Sequence, residues 1–316
     1  MANVVLHVSM EQIHKLKSYY HPFLRENKPP GSVFSAKLPE CTITAYKSGK
    51  VLFQGKAAEK EASHWQTAKN EGSIRIEKQE KKHAFHPPIS IQEQSVIGSD
   101  EVGTGDYFGP ITVAAVYVSS EQIPRLKELG VKDSKTLSDR SIAAIASQLI
   151  TIVPYSLLTL HNEKYNELQQ AGMNQGKMKA ILHNRAITNV MNKIDRKPDG
   201  ILIDQFTEPE QYFHYLQSEP DVVKNVYFAA NAEQIHISVA AASILARYRF
   251  LQEIDALSKK CGMQLPKGAG KQVDEAAAAM IIEKGETILR TCAKLHFANT
   301  QKAKKLAEQM RNDANN

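Results

Sequence analysis

Apolar and polar positions alternate with a period of two over residues 3–8 (NVVLHV), the spacing of a strand with one buried face. Over 11–20 (EQIHKLKSYY) the apolar and aromatic positions move to helical spacing, and PPG at 29–31 then breaks the chain. Three more strands are predicted at 33–38, 41–46 and 51–55, the last two joined by KSGK, where Ser48 and Gly49 suit a tight hairpin turn. KAAEKEASHWQTAK (56–69) predicts a closing helix. From 91 onward the pattern changes. IQEQSVIGSD (91–100) ends in a strand, the glycine-rich turn VGTGDYF follows, and GPITVAAVYVS (109–119) predicts a long second strand. Further strands are expected at 152–160, 201–204 and 225–231. MKAILHNRAITNVMNKI (178–194) places Ile181, Leu182, Ile187, Val190, Met191 and Ile194 on one helical face. Residues 237–257 predict a helix whose small residues allow close packing on a sheet, and helices are expected at 272–284 and 298–311.

These elements sort into a small α+β domain (1–70), a polar linker of little packing value (71–92) that carries Pro87-Pro88, and an α/β domain (93–316). A hairpin followed by mixed strands and helices predicts a mixed sheet rather than a regular parallel repeat. A length of 316 residues allows two domains at ~100–200 residues each. A composition 42% hydrophobic and 23% charged is that of a soluble globular chain, which excludes collagenous, disordered and membrane classes. The longest apolar run, VAAASILA at 239–246, falls far short of the ~20 residues of a spanning helix. The start of the chain has no basic segment followed by an apolar one, so no secretory signal is expected. Three widely spaced cysteines (Cys41, Cys261, Cys292) offer no metal clip and no disulfide framework, which suits the cytoplasm. Charge is uneven. Residues 1–90 hold 14 Lys/Arg against 8 Asp/Glu, a surplus of six, whereas 91–316 hold 26 of each sign. Such a block can be a phosphate-binding surface or a solvated basic face.

The densest chemistry is SDEVGTGDYFGP at 99–110. Asp100 and Glu101 are consecutive carboxylates that repel unless cations neutralise them, and hard divalent cations such as Mg²⁺ take oxygen ligands. Neighbours in a regular strand point to opposite faces. The expectation is that the strand ends at the glycine turn and that the longer Glu101 curls back beside Asp100. Asp204 ends the apolar strand ILID, a frequent place for active-site acids in α/β sheets. Glu233 precedes the small-residue helix. Four carboxylates on separate elements could hold two metals and run an in-line phosphoryl displacement. The alternative is a polar strand end, a turn cap and a solvated helix-start acid. The GTG turn matches neither the dinucleotide fingerprint nor the P-loop.

On these residues the catalytic half resembles the type 2 ribonuclease H family. The features are SDEVGTGDYFGP (99–110), VKDSKTLSDR (131–140), ILHNRAI (181–187), ILIDQF (201–206), VAAASILAR (239–247) and LPKGAG (265–270), in the family's order. It is most similar to the bacterial ribonuclease HIII branch. The turn is of GTG rather than GRG type, Glu233 stands ten residues ahead of Ser243 where the ribonuclease HII branch has Asp, and about 90 residues precede the nuclease. The resemblance implies a ribonuclease H-like fold behind a TATA-box-binding-protein-like domain that grips substrate. It implies a metal-dependent endonuclease cutting the RNA strand of RNA–DNA hybrids to 5′-phosphate and 3′-hydroxyl ends. The implied metal ligands are Asp100, Glu101, Asp204 and Glu233, for Mg²⁺ with Mn²⁺ as the alternative. Backbone groups of Gly103, Thr104 and Gly105 would read the 2′-hydroxyl, and Lys135 would meet a phosphate.

His183 and Asn184 are expected to pack a helix, and the same holds for His236. Asn174, Lys177 and Lys179 are read as a polar loop, Lys267 as a loop lysine, and Tyr107 and Phe108 as stacking or packing groups. No Ser–His–Asp or Cys–His set is visible, and a metal-bound water needs none. A monomer without a membrane partner is expected. The competing functions are a ribonuclease HII-like enzyme that excises single embedded ribonucleotides and a non-catalytic hybrid-binding protein.

Overall fold

The computed structural model describes residues 3–25, 28–29, 31–66 and 84–314, and the chain divides into one unit over Met1–Lys81 and another over Lys82–Asn316. The first unit runs β1 (Asn3–His7), α1 (Met10–Tyr19), β2 (Ser32–Lys37), β3 (Thr42–Tyr46), β4 (Lys50–Gln54) and α2 (Ala58–Gln66). Its antiparallel sheet has the order β1-β4-β3-β2. Helix α1 begins where Ser9 and Gln12 cap one another's backbone N–H groups. The β3–β4 turn needs Gly49, whose φ of +85° lies in the left-handed region. Ile13, Leu16, Ile43, Val51 and Phe53 fill the core. The Tyr20 hydroxyl donates to Glu61 at 2.8 Å and accepts from the Trp65 indole at 3.0 Å, which fastens the end of α1 to α2.

The second unit contains β5 (Val96–Val102), β6 (Ile111–Val118), α3 (Ile123–Glu128), α4 (Asp139–Ile152), β7 (Tyr155–Leu160), α5 (Asn162–Gln170) and α6 (Gln175–Met191). It continues through β8 (Gly200–Asp204), α7 (Pro209–Tyr215), β9 (Tyr227–Ala229), α8 (Ile237–Cys261), α9 (Lys271–Lys284), α10 (Leu289–Cys292) and α11 (Ala298–Ala314). The sheet is mixed, with order β7-β6-β5-β8-β9: β5, β6 and β7 are antiparallel neighbours, and β5, β8 and β9 run parallel. Each face is covered. Ile97, Val113 and Ala115 meet α6 through Ile187 and Val190, while Ala114 and Val116 meet the small-residue stripe of α8 through Ala240, Ala241 and Ile244. At Gly98 a β-carbon would stand 2.3 Å from the Val239 backbone nitrogen, so only glycine lets α8 come this close to β5.

Several elements differ from expectation. Helices α3, α4, α5, α7 and the short α10 are not among the expected elements. Yet α4 carries a plain signal: Ser138 caps it by accepting from Ser141 N–H, and Ile142, Ile145, Ala146 and Leu149 bury one face. The strand expected from 152 starts at Tyr155 because Ile152 ends that helix. Helix α6 starts at Gln175 with Asn174 as N-cap, so Lys177 and Lys179 are helical rather than loop residues. Of the expected linker, 71–83 lies outside the described residues, but 84–92 packs. Phe85 meets Phe213 and Phe228, with ring centroids 5.4 and 6.3 Å away, and Ile91 is buried. Apolar side chains beside prolines found a core, which polarity averaged over the segment conceals.

His236 is the N-cap of α8. Its Nδ1 accepts from Ser238 N–H at 3.1 Å, which leaves Nε2 to donate to the Gln94 carbonyl at 3.2 Å. Burial is the main cause pushing its pKa down to about 4. The folded state therefore resists protonation that the unfolded chain accepts, and this stability, present above pH ~6.5, is lost as pH falls toward 4. The expected size is up to ~3 kcal/mol. Urea unfolding at pH 6.5 and 4.5 should show a shallower acid loss for His236→Asn, which retains a capping acceptor, than for the parent.

The Gly98 contact yields a second test. Gly98→Ala should cost more than ~2 kcal/mol in urea unfolding. Gly105→Ala should be within about 0.5 kcal/mol of neutral, because its β-carbon meets nothing within 4 Å.

Candidate active site

The parallel register pairs Ser99 with Ile203, so Asp100 and Asp204 lie one residue further on, side by side on adjacent strands, with Asp204 ending β8 and Asp100 two residues before the end of β5. Both point to the α8 face. There Asp100 accepts from the Glu101 N–H at 2.7 Å, and the nearby Ser243 hydroxyl works against the rise of its pKa. Asp204 accepts from Ala232 N–H at 2.8 Å. Burial, then the charges of Asp204 and Glu101, push the Asp100 pKa up to about 8. Burial also raises Asp204 to about 6, with Glu233 and Glu101 adding to the shift and the Ala232 hydrogen bond opposing it. Glu233 sits in the short turn before α8. One of its oxygens takes the Lys135 ammonium at 3.1 Å, and the other, Oε2, is buried with no partner among the described residues. The hydrogen bond to Glu233 is the main cause raising the Lys135 pKa. The Ser134–Thr136 turn that carries Lys135 is tied to α8 by a 2.8 Å contact between the Ser134 and Ser243 hydroxyls and by Arg247, which donates to the Ser134 carbonyl.

Glu101 departs from the expected geometry. Strand β5 does not end at the acid pair but continues through Val102, with Asp100 opposite Ala114 and Glu101 opposite Val113. The pleat therefore holds, and Glu101 points to the α6 face instead of curling back. Its Oε1 takes the Lys179 ammonium at 2.8 Å, and its Oε2 lies 2.8 Å from His183 Nε2. Burial alone would raise its pKa, but His183 and Lys179 outweigh it and hold the carboxyl below its usual range. His183, expected to pack only, is fully buried, with Nδ1 2.7 Å from the Ser99 hydroxyl. That hydroxyl gives its one proton to the Ala114 carbonyl at 2.9 Å, so Nδ1 is a donor.

The glycine turn is clamped from behind. Gly103 has φ +96°, and a β-carbon there would meet the Pro110 carbonyl at 2.2 Å. Gln175 donates to the Thr104 carbonyl at 3.1 Å. Lys294 is fully buried and donates to the Asp106 and Gly109 carbonyls at 2.8 and 2.5 Å, while burial pushes its pKa down to about 7. Tyr107 and Phe108 are core residues. Gly105 is exposed. Lys267 pairs with Asp139 at 2.8 Å, away from the acids, and Asn184 braces the loop at Asp221 and Val223.

The structure thus gathers Asp100, Asp204, Glu233 and Lys135 on one face of the sheet end and places Glu101 on the other. Among the described residues, no three His, Cys, Asp or Glu side chains form a ready-made metal cage. The donor set nevertheless suits a hard cation. Burial raises both Asp100 and Asp204, with Asp204 and Glu101 adding to the shift of Asp100 and Glu233 and Glu101 to that of Asp204, and one Glu233 oxygen lacks a partner among the described residues. Sequence reasoning missed Lys179, Ser99 and Ser243 as neighbours of the acids. The i,i+4 spacing of Lys179 and His183 inside the expected helix 178–194 was the available signal, lost by reading Lys179 with the polar loop before it.

A family profile described as Ribonuclease HII matches residues 97–300, and one described as Domain of unknown function (DUF3378) matches residues 3–77. The chain is 58% identical over 306 residues to the ribonuclease HIII of Bacillus mycoides (strain KBAB4), covering 96% of this chain and 98% of that one. To the ribonuclease HIII of Bacillus cereus (strain ATCC 10987) it is 57% identical, with the same coverage. Among solved structures, Bst-RNase HIII in complex with Mn²⁺ matches at TM-score 0.69 and 46% identity, covering 98% of this chain and 100% of that chain. The ribonuclease H2 of Pyrococcus horikoshii shares the fold at TM-score 0.55 and 24% identity, over 69% of this chain and 99% of that chain. These matches define the class as a ribonuclease H enzyme of the type 2 kind. Within that class, the chain belongs to the ribonuclease HIII family.

Proposed function

We propose that this chain hydrolyses the RNA strand of RNA–DNA hybrids by a divalent-metal mechanism that leaves 5′-phosphate and 3′-hydroxyl ends. The observation that carries the reading is the pair of carboxylates Asp100, buried, and Asp204, half-buried, on adjacent parallel strands, which burial first and neighbouring carboxylates second raise to about 8 and about 6. The Mn²⁺ complex of Bst-RNase HIII supports it. Asp100, Asp204 and Glu233 would hold Mg²⁺ or Mn²⁺, and Glu101 would join from the α6 face. When bound, such a cation supplies charge neutralisation, an activated water and stabilisation of charge developing on the phosphate. The Gly103–Thr104–Gly105 backbone reads the 2′-hydroxyl that separates RNA from DNA. Lys135, 70% exposed at its side chain, turns from Glu233 to a substrate phosphate. The surplus of six positive charges in residues 1–90, with Lys17, Lys37, Lys47 and Lys50 exposed, lets the N-terminal domain hold the duplex by its phosphates. Three free, buried cysteines fit the reducing cytoplasm, where the enzyme would act as a monomer.

A strand-specific assay on end-labelled hybrid, with and without Mg²⁺ or Mn²⁺, tests the reaction. Asp100→Asn, Glu101→Gln and Asp204→Asn should each lose at least ~100-fold in turnover while hybrid binding survives, because the phosphate contacts lie elsewhere. Glu233→Gln should fall as well. Any one of these variants that turns over at the parent rate leaves the site. Cleavage beside a single embedded ribonucleotide as fast as within a run of four, in Mg²⁺, would favour the ribonuclease HII-like alternative.

Removing the first unit tests the charge argument. The cut belongs after Lys81, since Phe85 packs in the second unit. Residues 82–316 should bind hybrid more weakly, with turnover of the bound complex little changed. Their log–log salt dependence should be shallower, by roughly 0.9 for each phosphate that the first unit neutralises, the duplex DNA value. Equal affinity and equal salt slope would make the basic surplus a solvated face.

A further inference from the structure

We infer that Lys179 is a positioning residue that acts as the resident counter-ion of Glu101, holding its carboxylate on the α6 face and competing with a divalent cation for it. The inference rests on the metal reading of the acid site.

Burial separates this ion pair from the others near the site. The Lys179 and Glu101 side chains are 11% and 10% exposed, and their contact is 2.8 Å. The companion pair, Lys135 with Glu233, has its lysine 70% exposed, where water and salt screen it. Lys179 is also held in place without Glu101's help. Its ammonium lies 4.2 Å from the Phe206 ring centroid, and Phe206 stacks on His183 at 5.0 Å. A lysine and a histidine one helical turn apart, buttressed by one aromatic ring, thus present two donors to the two oxygens of a single carboxylate.

The consequence for a metal follows from electrostatics. A divalent ion that draws on Glu101 must take an oxygen from a buried ammonium and sit close to that positive charge, and both effects weaken its binding. A neutral residue at 179 removes the repulsion and leaves Glu101 short of a partner, so metal affinity rises. The same change leaves Glu101 held through one oxygen, by His183 alone, which loosens its orientation, so turnover falls even when metal is saturating. A lysine that only supported the fold would weaken metal binding and turnover together.

The test is Mn²⁺ binding to the full chain without substrate, read by isothermal titration and by the electron paramagnetic resonance of free Mn²⁺. Lys179→Met, with Lys179→Gln as the variant less disturbing to the fold, should bind Mn²⁺ about tenfold more tightly than the parent, equal to ~1.4 kcal/mol, while kcat at saturating Mn²⁺ falls. Lys179→Arg, which keeps the charge, should stay near the parent affinity. In a Glu101→Gln background, Lys179→Gln should change Mn²⁺ affinity less than twofold, because the competed-for carboxylate is gone. If the parent binds Mn²⁺ but a folded Lys179→Gln binds it equally or more weakly, or if the tightening persists without Glu101, the inference is overturned and the metal reading stands. A parent chain that takes up no Mn²⁺ overturns both.

Discussion

Two carboxylates of one sign, Asp100 and Asp204, stand side by side on neighbouring parallel strands, and burial, nearly complete for Asp100 and partial for Asp204, has stripped them of water. Such a pair is costly unless positive charge or hydrogen bonds answer it. Much of the surrounding structure supplies those answers. Ser243 of α8 and the Ala232 N–H each reach one acid, and Lys135 takes the nearby Glu233. The closeness of α8 to β5, permitted by Gly98, is what brings Ser243 within reach. Packing of small residues and electrostatics of the acids are therefore one arrangement.

The strand pleat divides the labour. Because β5 stays regular through Val102, consecutive acids serve opposite faces. Asp100 joins the α8 side, and Glu101 is received by Lys179 and His183 on the α6 side. The two environments move the carboxyls in opposite directions: Asp100 goes up, driven first by burial, while Glu101 comes down because its contacts with His183 and Lys179 outweigh burial.

The glycine turn shows a complementary economy of motion. Its carbonyls are taken from within by Lys294, Asn162 and Gln175, and Asp106 accepts from the Gly268 N–H. Those bonds fix the loop without covering Gly105, so a rigid backbone surface faces outward. A loop held in this way meets a duplex with little ordering cost left to bear.

The sequence by itself determined the alternation of elements, the mixed character of the catalytic sheet, and the presence of acids on two apolar strands. Each of these is written in local periodicity, in glycine and proline positions, or in the order of short motifs. The same local information was present for α4, with its Ser138 cap and its Ile142, Ile145 and Leu149 face, and was passed over. What only the tertiary structure decided is the company each charged side chain keeps. Lys179 lies 78 positions from Glu101 and Lys135 lies 98 from Glu233. Nothing in the intervening residues encodes those pairings, which exist because α6 and α8 close on the sheet from opposite sides. The direction of Glu101 was misjudged for a related reason. A glycine at 103 suggests an early strand end, but the hydrogen bonds of β6 across the hairpin keep β5 extended through Val102, and a strand that stays extended turns alternate side chains to opposite faces.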